Sequence, residues 1–240
     1  MVVKPANRKE TAAPDKVHPW RLCPEGQHWV HDHPRSNAKH GVHGYCRHNR
    51  GGKDEIEAIE IDAIADKYFE KLKGPPCAKA LGFSQGSKFD SLIRGWSKYW
   101  NEVLNEVDPI DPDLVKAIIA TESGFRVRAV NKGNKIIGKA LGLMQVTEQS
   151  WRILKDEHGE LKDHFVVLEH DELFQANQNI CAGVRWLYRK RQATSSKLGR
   201  QATWLETVAN YKGYLKAFQK DPKHKKMGEL VERYEKLKKC

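Results

Sequence analysis

From Asp54 onward the apolar residues return at helical spacing. Ile56, Ile59, Ala63, Ile64, Tyr68 and Leu72 recur every three or four positions, which predicts a helix over 54–73. Gly74-Pro75-Pro76 ends it. Leu92, Trp96, Tyr99, Trp100, Val103 and Leu104 predict a second helix. Asp111 is placed to cap a third, with Pro112 in its first turn, where proline's missing N–H costs nothing. That helix carries Leu114, Val115, Ile118 and Ile119 and runs to Glu122, with Gly124 as a stop. Further helices are predicted near 146–156, 176–193, 203–218 and 226–238. Strand signals are few, and Lys135 to Gly138 suits a short hairpin. The pattern predicts a mainly α domain over 85–240, preceded by a connecting helix and linker over 54–84.

The N-terminal quarter lacks this pattern. Residues 1–17 are polar and predicted to be loose. Residues 18–53 hold seven of the 11 histidines, with two cysteines and two tryptophans, and too few aliphatic residues to form their own core. Cys23, His28, His43 and Cys46 offer the two sulfurs and two imidazoles of a structural zinc site. His31, His33, His40 and His48 compete for the same role. The alternatives are a Cys23–Cys46 disulfide, or free thiols beside surface histidines. The five cysteines are odd in number and sparse, so they do not suggest a disulfide framework. Cys181, inside an apolar helical stretch, is predicted to be a core thiol.

Composition fits a globular chain of 240 residues, 39% hydrophobic and 30% charged. No stretch approaches the roughly 20 apolar residues of a membrane span. Met1 to Asp15 has no apolar core of a secretory signal. The net charge of +11 resides wholly in Arg185 to Cys240. Such a face either binds a polyanion (nucleic acid, anionic lipid or an acidic wall polymer) or is simply a solvated helical surface.

Glu122 is the residue whose setting suggests chemistry. A carboxyl following Ile118 and Ile119 has apolar neighbours, which disfavour its charged form and suit proton donation to a leaving oxygen. A surface Glu near a helix end is the plain alternative. Three further blocks accompany it. The stretch Leu-Val-Lys-Ala-Ile-Ile-Ala-Thr-Glu-Ser-Gly-Phe at 114–125 is followed by Ala-Leu-Gly-Leu-Met-Gln-Val at 140–146. Asn-Ile-Cys-Ala-Gly-Val-Arg-Trp-Leu follows at 179–187, and Val-Ala-Asn-Tyr-Lys-Gly at 208–213. In this order they resemble the Slt-type, goose-lysozyme-like lytic transglycosylases over about residues 111–215.

That resemblance implies a lysozyme-like helical catalytic domain that cleaves peptidoglycan strands. It implies Glu122 as acid and then base, and Ser123 as a positioning group. Gly142, Leu143, Met144 and Gln145 would line the groove, and Tyr211 would hydrogen-bond near Glu122 or the sugar. Asn179 and Gly183 would be structural. One departure stands out: Lys212 occupies the position where the family usually has Asn. No second acid is placed by motif; Glu148, Asp156 and Asp163 are expected on solvated faces. A one-carboxylate site works when the substrate's N-acetyl group assists. Catalysis then needs no cofactor, and any zinc would be structural. The expected partners are peptidoglycan glycan strands and an anionic wall or envelope polymer met by the basic C-terminal region, with no nucleic acid. Reaching the cell wall without a signal peptide implies phage-, pore- or machine-dependent delivery. The alternatives are a hydrolytic muramidase on the same fold and a non-catalytic wall-binding component of a phage or injection machine.

Overall fold

The computed structural model describes residues 20–24, 26–30 and 44–240. A short antiparallel hairpin, β1 (Gln27–Val30) with β2 (Tyr45–His48), comes first. Strand β3 (Glu55–Glu57) leads directly into α1 (Ala58–Tyr68). Then come α2 (Asp90–Val103) and α3 (Pro112–Glu122). A small antiparallel sheet follows, of β4 (Val130–Asn134), β5 (Gly138–Leu141) and β6 (Val146–Thr147), in that spatial order. Helix α4 (Glu148–Lys155) and strand β7 (Phe165–Val167) precede the long α5 (Ala176–Leu198). The chain closes with α6 (Trp204–Tyr211), α7 (Leu215–Lys220) and α8 (Lys225–Lys238).

Helix α3 forms as its sequence demands. The Asp111 side chain accepts the Asp113 N–H at 2.9 Å, and Pro112 opens the first turn. Leu114, Val115, Ala117, Ile118 and Ile119 are buried on α3. Even Lys116 is buried, reaching Asp90 at 2.8 Å and the Cys77 carbonyl at 2.6 Å, which fastens α2 to α3. On α2, Trp96, Tyr99 and Trp100 are buried and stack edge to face in sequence, with centroids 5.1 and 4.9 Å apart. The Trp100 indole donates to the Cys181 carbonyl at 3.0 Å, locking α2 to α5. Replacing one such ring by alanine costs about 3–5 kcal/mol. Cys181 is the buried free thiol expected of it.

Three expectations need correction here. Residues 55–57 are not the first turn of a helix: β3 pairs in parallel with β7, Ile56 opposite Val166. Glu-Ile-Glu alternates with period two, and only Ile56 turns inward. Helix α1 is more than a connector, because Ile61, Ile64, Ala65 and nearby Phe69 belong to the main core. The helix expected over 203–218 is two, broken at Lys212 and Gly213, where the glycine takes φ +78°.

The four-ligand zinc set is corrected as well. Cys23 and Cys46 are joined as a disulfide across the β1–β2 hairpin, with Cα atoms 5.6 Å apart. Sulfurs bonded to each other are not the thiolates zinc requires. His28 is turned toward Asn49 and Glu55, 2.5 Å and 3.3 Å from Nδ1, and His43 lies outside the described residues. The odd cysteine count also concealed a second disulfide, Cys77–Cys240, which ties the end of α8 to the segment before α2.

The N-terminal hairpin is anchored by polar contacts. Arg21 makes a buried, two-pronged ion pair with Asp54, whose Oδ2 is also 2.7 Å from His164 Nδ1. Burial pushes the Asp54 carboxyl up, but the hydrogen bonds from His164 and Arg21 outweigh it and hold the group below its ordinary range. Trp20 donates to Glu102 and stacks edge-on against Tyr68.

Candidate active site

The last turn of α3 delivers Thr121 and Glu122 to the wall of a cavity of about 410 Å³. Asn131 of β4, Ala140 of β5, Gln145 and Thr147 form another wall. Tyr211 and Lys212 arrive from the end of α6, Tyr214 from the turn after it, and Lys226 and Glu229 from α8. The cavity lies where α3, the small sheet, α6 and α8 meet.

Glu122 is the terminal residue of α3, with its side chain 17% exposed. After it the backbone turns left-handed at both Gly124 (φ +60°) and Phe125 (φ +62°). Phe125 is not a residue that adopts this conformation easily, and it is held there by burial in the core. The Glu122 carboxylate meets the Lys212 ammonium in an ion pair through Oε1. Lys212 Nζ also donates to Thr121 Oγ1 at 3.2 Å.

The Gly142 to Gln145 turn supports the cavity more than it lines it. Asn179 of α5 reaches up from the core to hold it. Its carbonyl oxygen accepts the Met144 N–H at 2.8 Å, and its amide donates to the carbonyls of Leu141 and Leu173. Gly142 takes φ +74°, and a Cβ there would sit 2.2 Å from the Asn179 amide nitrogen. Glycine is therefore required for backbone and for space. Gly183 leaves room for Met144, whose sulfur would lie 2.4 Å from an added Cβ. Leu143 and Met144 are fully buried in the core, so the expectation that they line the groove is corrected. Gln145 does line the cavity. Its side chain accepts from Asn131 at 2.7 Å and donates to the Gly142 carbonyl at 2.8 Å.

Tyr211 donates its hydroxyl to the Met144 carbonyl, tying α6 to the same turn. Burial, and next the charge of Glu122, push the phenol well above its ordinary range, so it stays a neutral donor. Ser123 is buried, and its hydroxyl donates to the Ile119 carbonyl at 3.2 Å, closing the helix end outside the cavity.

Of the residues predicted as a site, the fold brings Glu122, Gln145 and Tyr211 to one cavity. It places Ser123, Gly142, Leu143 and Met144 behind it. Asn131, Thr147, Tyr214, Lys226 and Glu229 line the cavity although no sequence motif singled them out. Glu229 is a second carboxylate at the cavity, placed there by no motif, and its own partner is Arg233 at 3.0 Å. Glu148, by contrast, faces His170 at 3.4 Å and does not line the cavity.

Among the described residues, one group brings metal-ligating atom types together: His28, Glu55 and Glu57, with ligand atoms within 4.8 Å of one another. It lies on the hairpin side, and none of its members lines the Glu122 cavity. Among the described residues, no helix is long and apolar enough to cross a membrane.

A family model described as the transglycosylase SLT domain matches residues 99–229, a span that contains every residue of the cavity. No curated protein and no solved structure matches the chain.

Proposed function

The chain belongs to the transglycosylase SLT domain family, whose members cleave the glycan strands of peptidoglycan, and on that premise we propose that it breaks the β-1,4 bond between N-acetylmuramic acid and N-acetylglucosamine with Glu122 as acid and then base. The carrying observation is the placement of Glu122 at the end of α3, in the cavity wall, with one carboxylate oxygen held by Lys212.

The steps follow from that placement. Protonated Glu122 gives its proton to the glycosidic oxygen as the bond to the muramic C1 breaks. The N-acetyl group of the same sugar supports C1 in place of a protein carboxylate, a recognised exception to two-carboxylate glycosidases. Glu122, now a carboxylate, takes the proton of the C6 hydroxyl, and that oxygen bonds C1 within its own ring. An attacker held in the same molecule reaches effective molarities of ~10⁵ M or more. The product is a 1,6-anhydro ring, water is not consumed, and the proton cycle itself calls for no cofactor. Gln145, whose amide N–H groups are taken by the Ala129 and Gly142 carbonyls, holds Asn131, which presents its own amide to the glycan. Tyr211 supports the turn beneath them.

Mass spectrometry of fragments from digested peptidoglycan tests this reading. Anhydromuramic ends, lighter by one water than lysozyme products, are expected. Free reducing ends would favour the second reading, hydrolysis on the same fold, with Glu229 across the cavity as the group to hold a water. A supplementary partner, an anionic wall polymer, is supported by the exposed Lys216, Lys220, Lys223 and Lys225 around α7 and α8. Retention on purified walls that falls steeply with salt is the expected sign.

A further inference from the structure

Lys212 touches Glu122, yet the proposed reaction gives it no step of its own. Its side chain is 8% exposed, and it sits at the C-cap of α6, directly before the left-handed turn at Gly213. From there Nζ bridges Thr121 Oγ1 and Glu122 Oε1. Taking an ammonium and a carboxylate out of water costs several kcal/mol per ion before their attraction offsets it. If only packing were needed, an apolar or amide side chain would serve at lower cost, and the family's usual residue here is Asn.

Two physical consequences follow from the contact. The first is geometric. With Oε1 tied to Lys212, Glu122 is held in one orientation, and among the described residues its Oε2 accepts no hydrogen bond and is left for the glycosidic oxygen. The second is that the tie is itself anchored: Nζ also donates to Thr121 Oγ1, so two partners at the end of α3 fix the ammonium. Among the described residues, the other groups of the cavity make no hydrogen bond to Glu122. Glu229 of α8 is engaged by Arg233, and exposed Lys226 of α8 is held toward Tyr214, with Glu122 near enough only for a weaker charge attraction. Tyr211 is a neutral phenol bound to a backbone carbonyl. From the sheet side, Asn131, Gln145 and Thr147 carry no charge.

We infer that Lys212 is a positioning residue for the acid/base cycle of Glu122: it holds Oε1 and so aims the carboxyl into the cavity. This rests on the assignment of Glu122, and the experiment separates the two. Lysis of purified peptidoglycan is followed over a range of substrate concentrations for the wild type, Lys212→Met, Lys212→Asn, Lys212→Arg and Glu122→Gln, each first shown by thermal melting to be folded.

In the Met and Asn variants, kcat should fall roughly 10- to 100-fold, the scale on which a mis-aimed group loses rate. The apparent KM should change by less than about threefold, as expected when an interaction made in the transition state is removed. The Arg variant, which keeps a charged donor there, should recover most of the lost kcat at an unchanged KM. A loss that Arg does not rescue, or one that falls on KM rather than on kcat, would assign Lys212 a purely structural role and overturn the inference. So would an Asn variant matching the wild type. If those results accompany a dead Glu122→Gln enzyme, only the Lys212 inference falls. If Glu122→Gln stays active, both fall.

Discussion

Glu60 and Glu122 are both carboxylates on helices at the edge of the core, and each has a cation for company. Glu60, on α1, is 1% exposed and lies near Arg21, Asp54 and Tyr99. Burial pushes it up to about 7, with the attraction of Arg21 too weak to cancel the loss of hydration. Glu122 is more open and meets its cation at the wall of a cavity wide enough for part of a glycan. A displaced titration is a common flag for catalytic groups, but ion-pair networks inside a fold produce it as well. Glu60 has the perturbation without access. What distinguishes Glu122 is access: a free oxygen, a cavity, and amide groups opposite it.

The comparison breaks most sharply on rates. Glu122→Gln should reduce lysis of purified peptidoglycan by roughly 100- to 10,000-fold, the usual worth of general acid–base catalysis. Glu60→Gln should leave kcat and KM unchanged. A turbidity assay of both variants decides, and a slow Glu60 variant would mean that the buried cluster reaches the chemistry.

Next in size are the stability effects, which should appear on the Glu60 side. Cys46→Ser removes the cross-link of the hairpin that carries Arg21 toward Asp54, and should cost about 2–4 kcal/mol in chemical denaturation with little change in rate. The Glu60 prediction turns on sign. Its folded value of about 7 lies above the ordinary 4.5, so the folded state retains a proton that the unfolded chain releases. Stability should therefore be fullest below about pH 4.5 and decline as pH rises to about 7. Glu60→Gln should flatten that slope and stabilise the protein at alkaline pH by up to about 3 kcal/mol. Urea midpoints at both ends of this range measure it.

The smallest effect expected lies at the start of α6, the helix that delivers Tyr211 and Lys212. Thr203 and Glu206 form a capping box, and Arg200 holds Glu206 down at about 2. This contribution is present above pH 4.5 and is lost as pH falls toward 2. Glu206→Gln should cost about 1 kcal/mol near neutral pH, and less in acid.

What could be read from the sequence was local. The Asp111 cap, Pro112 and the apolar spacing fix α3 and place Glu122 at its end, since each cue acts within a few residues. Asn179 and Gly183 could be read as structural, and the fold shows them supporting the Gly142 to Gln145 turn. What could not be read was long-range. The pairing of Ile56 with Val166, the arrival of Glu229 from α8, and the choice of Cys46 over a metal for Cys23 all depend on how distant segments meet. Leu143 and Met144 misled because a groove and the core beneath it share one turn of chain. Lys212 was visible as an oddity, but its partner was not.

The Cys77–Cys240 bond makes most of the protein a closed ring. The tip of the β4–β5 hairpin lies on that ring, with Lys135 exposed and Ile136 78% exposed. A protease that nicks the chain after Lys135 separates Glu122 from Gln145, Tyr211 and Lys212 in sequence without releasing either piece. The nicked molecule should migrate as one species until a reductant is added and then fall into two bands, so susceptibility at the hairpin and survival of the site can be scored on the same gel.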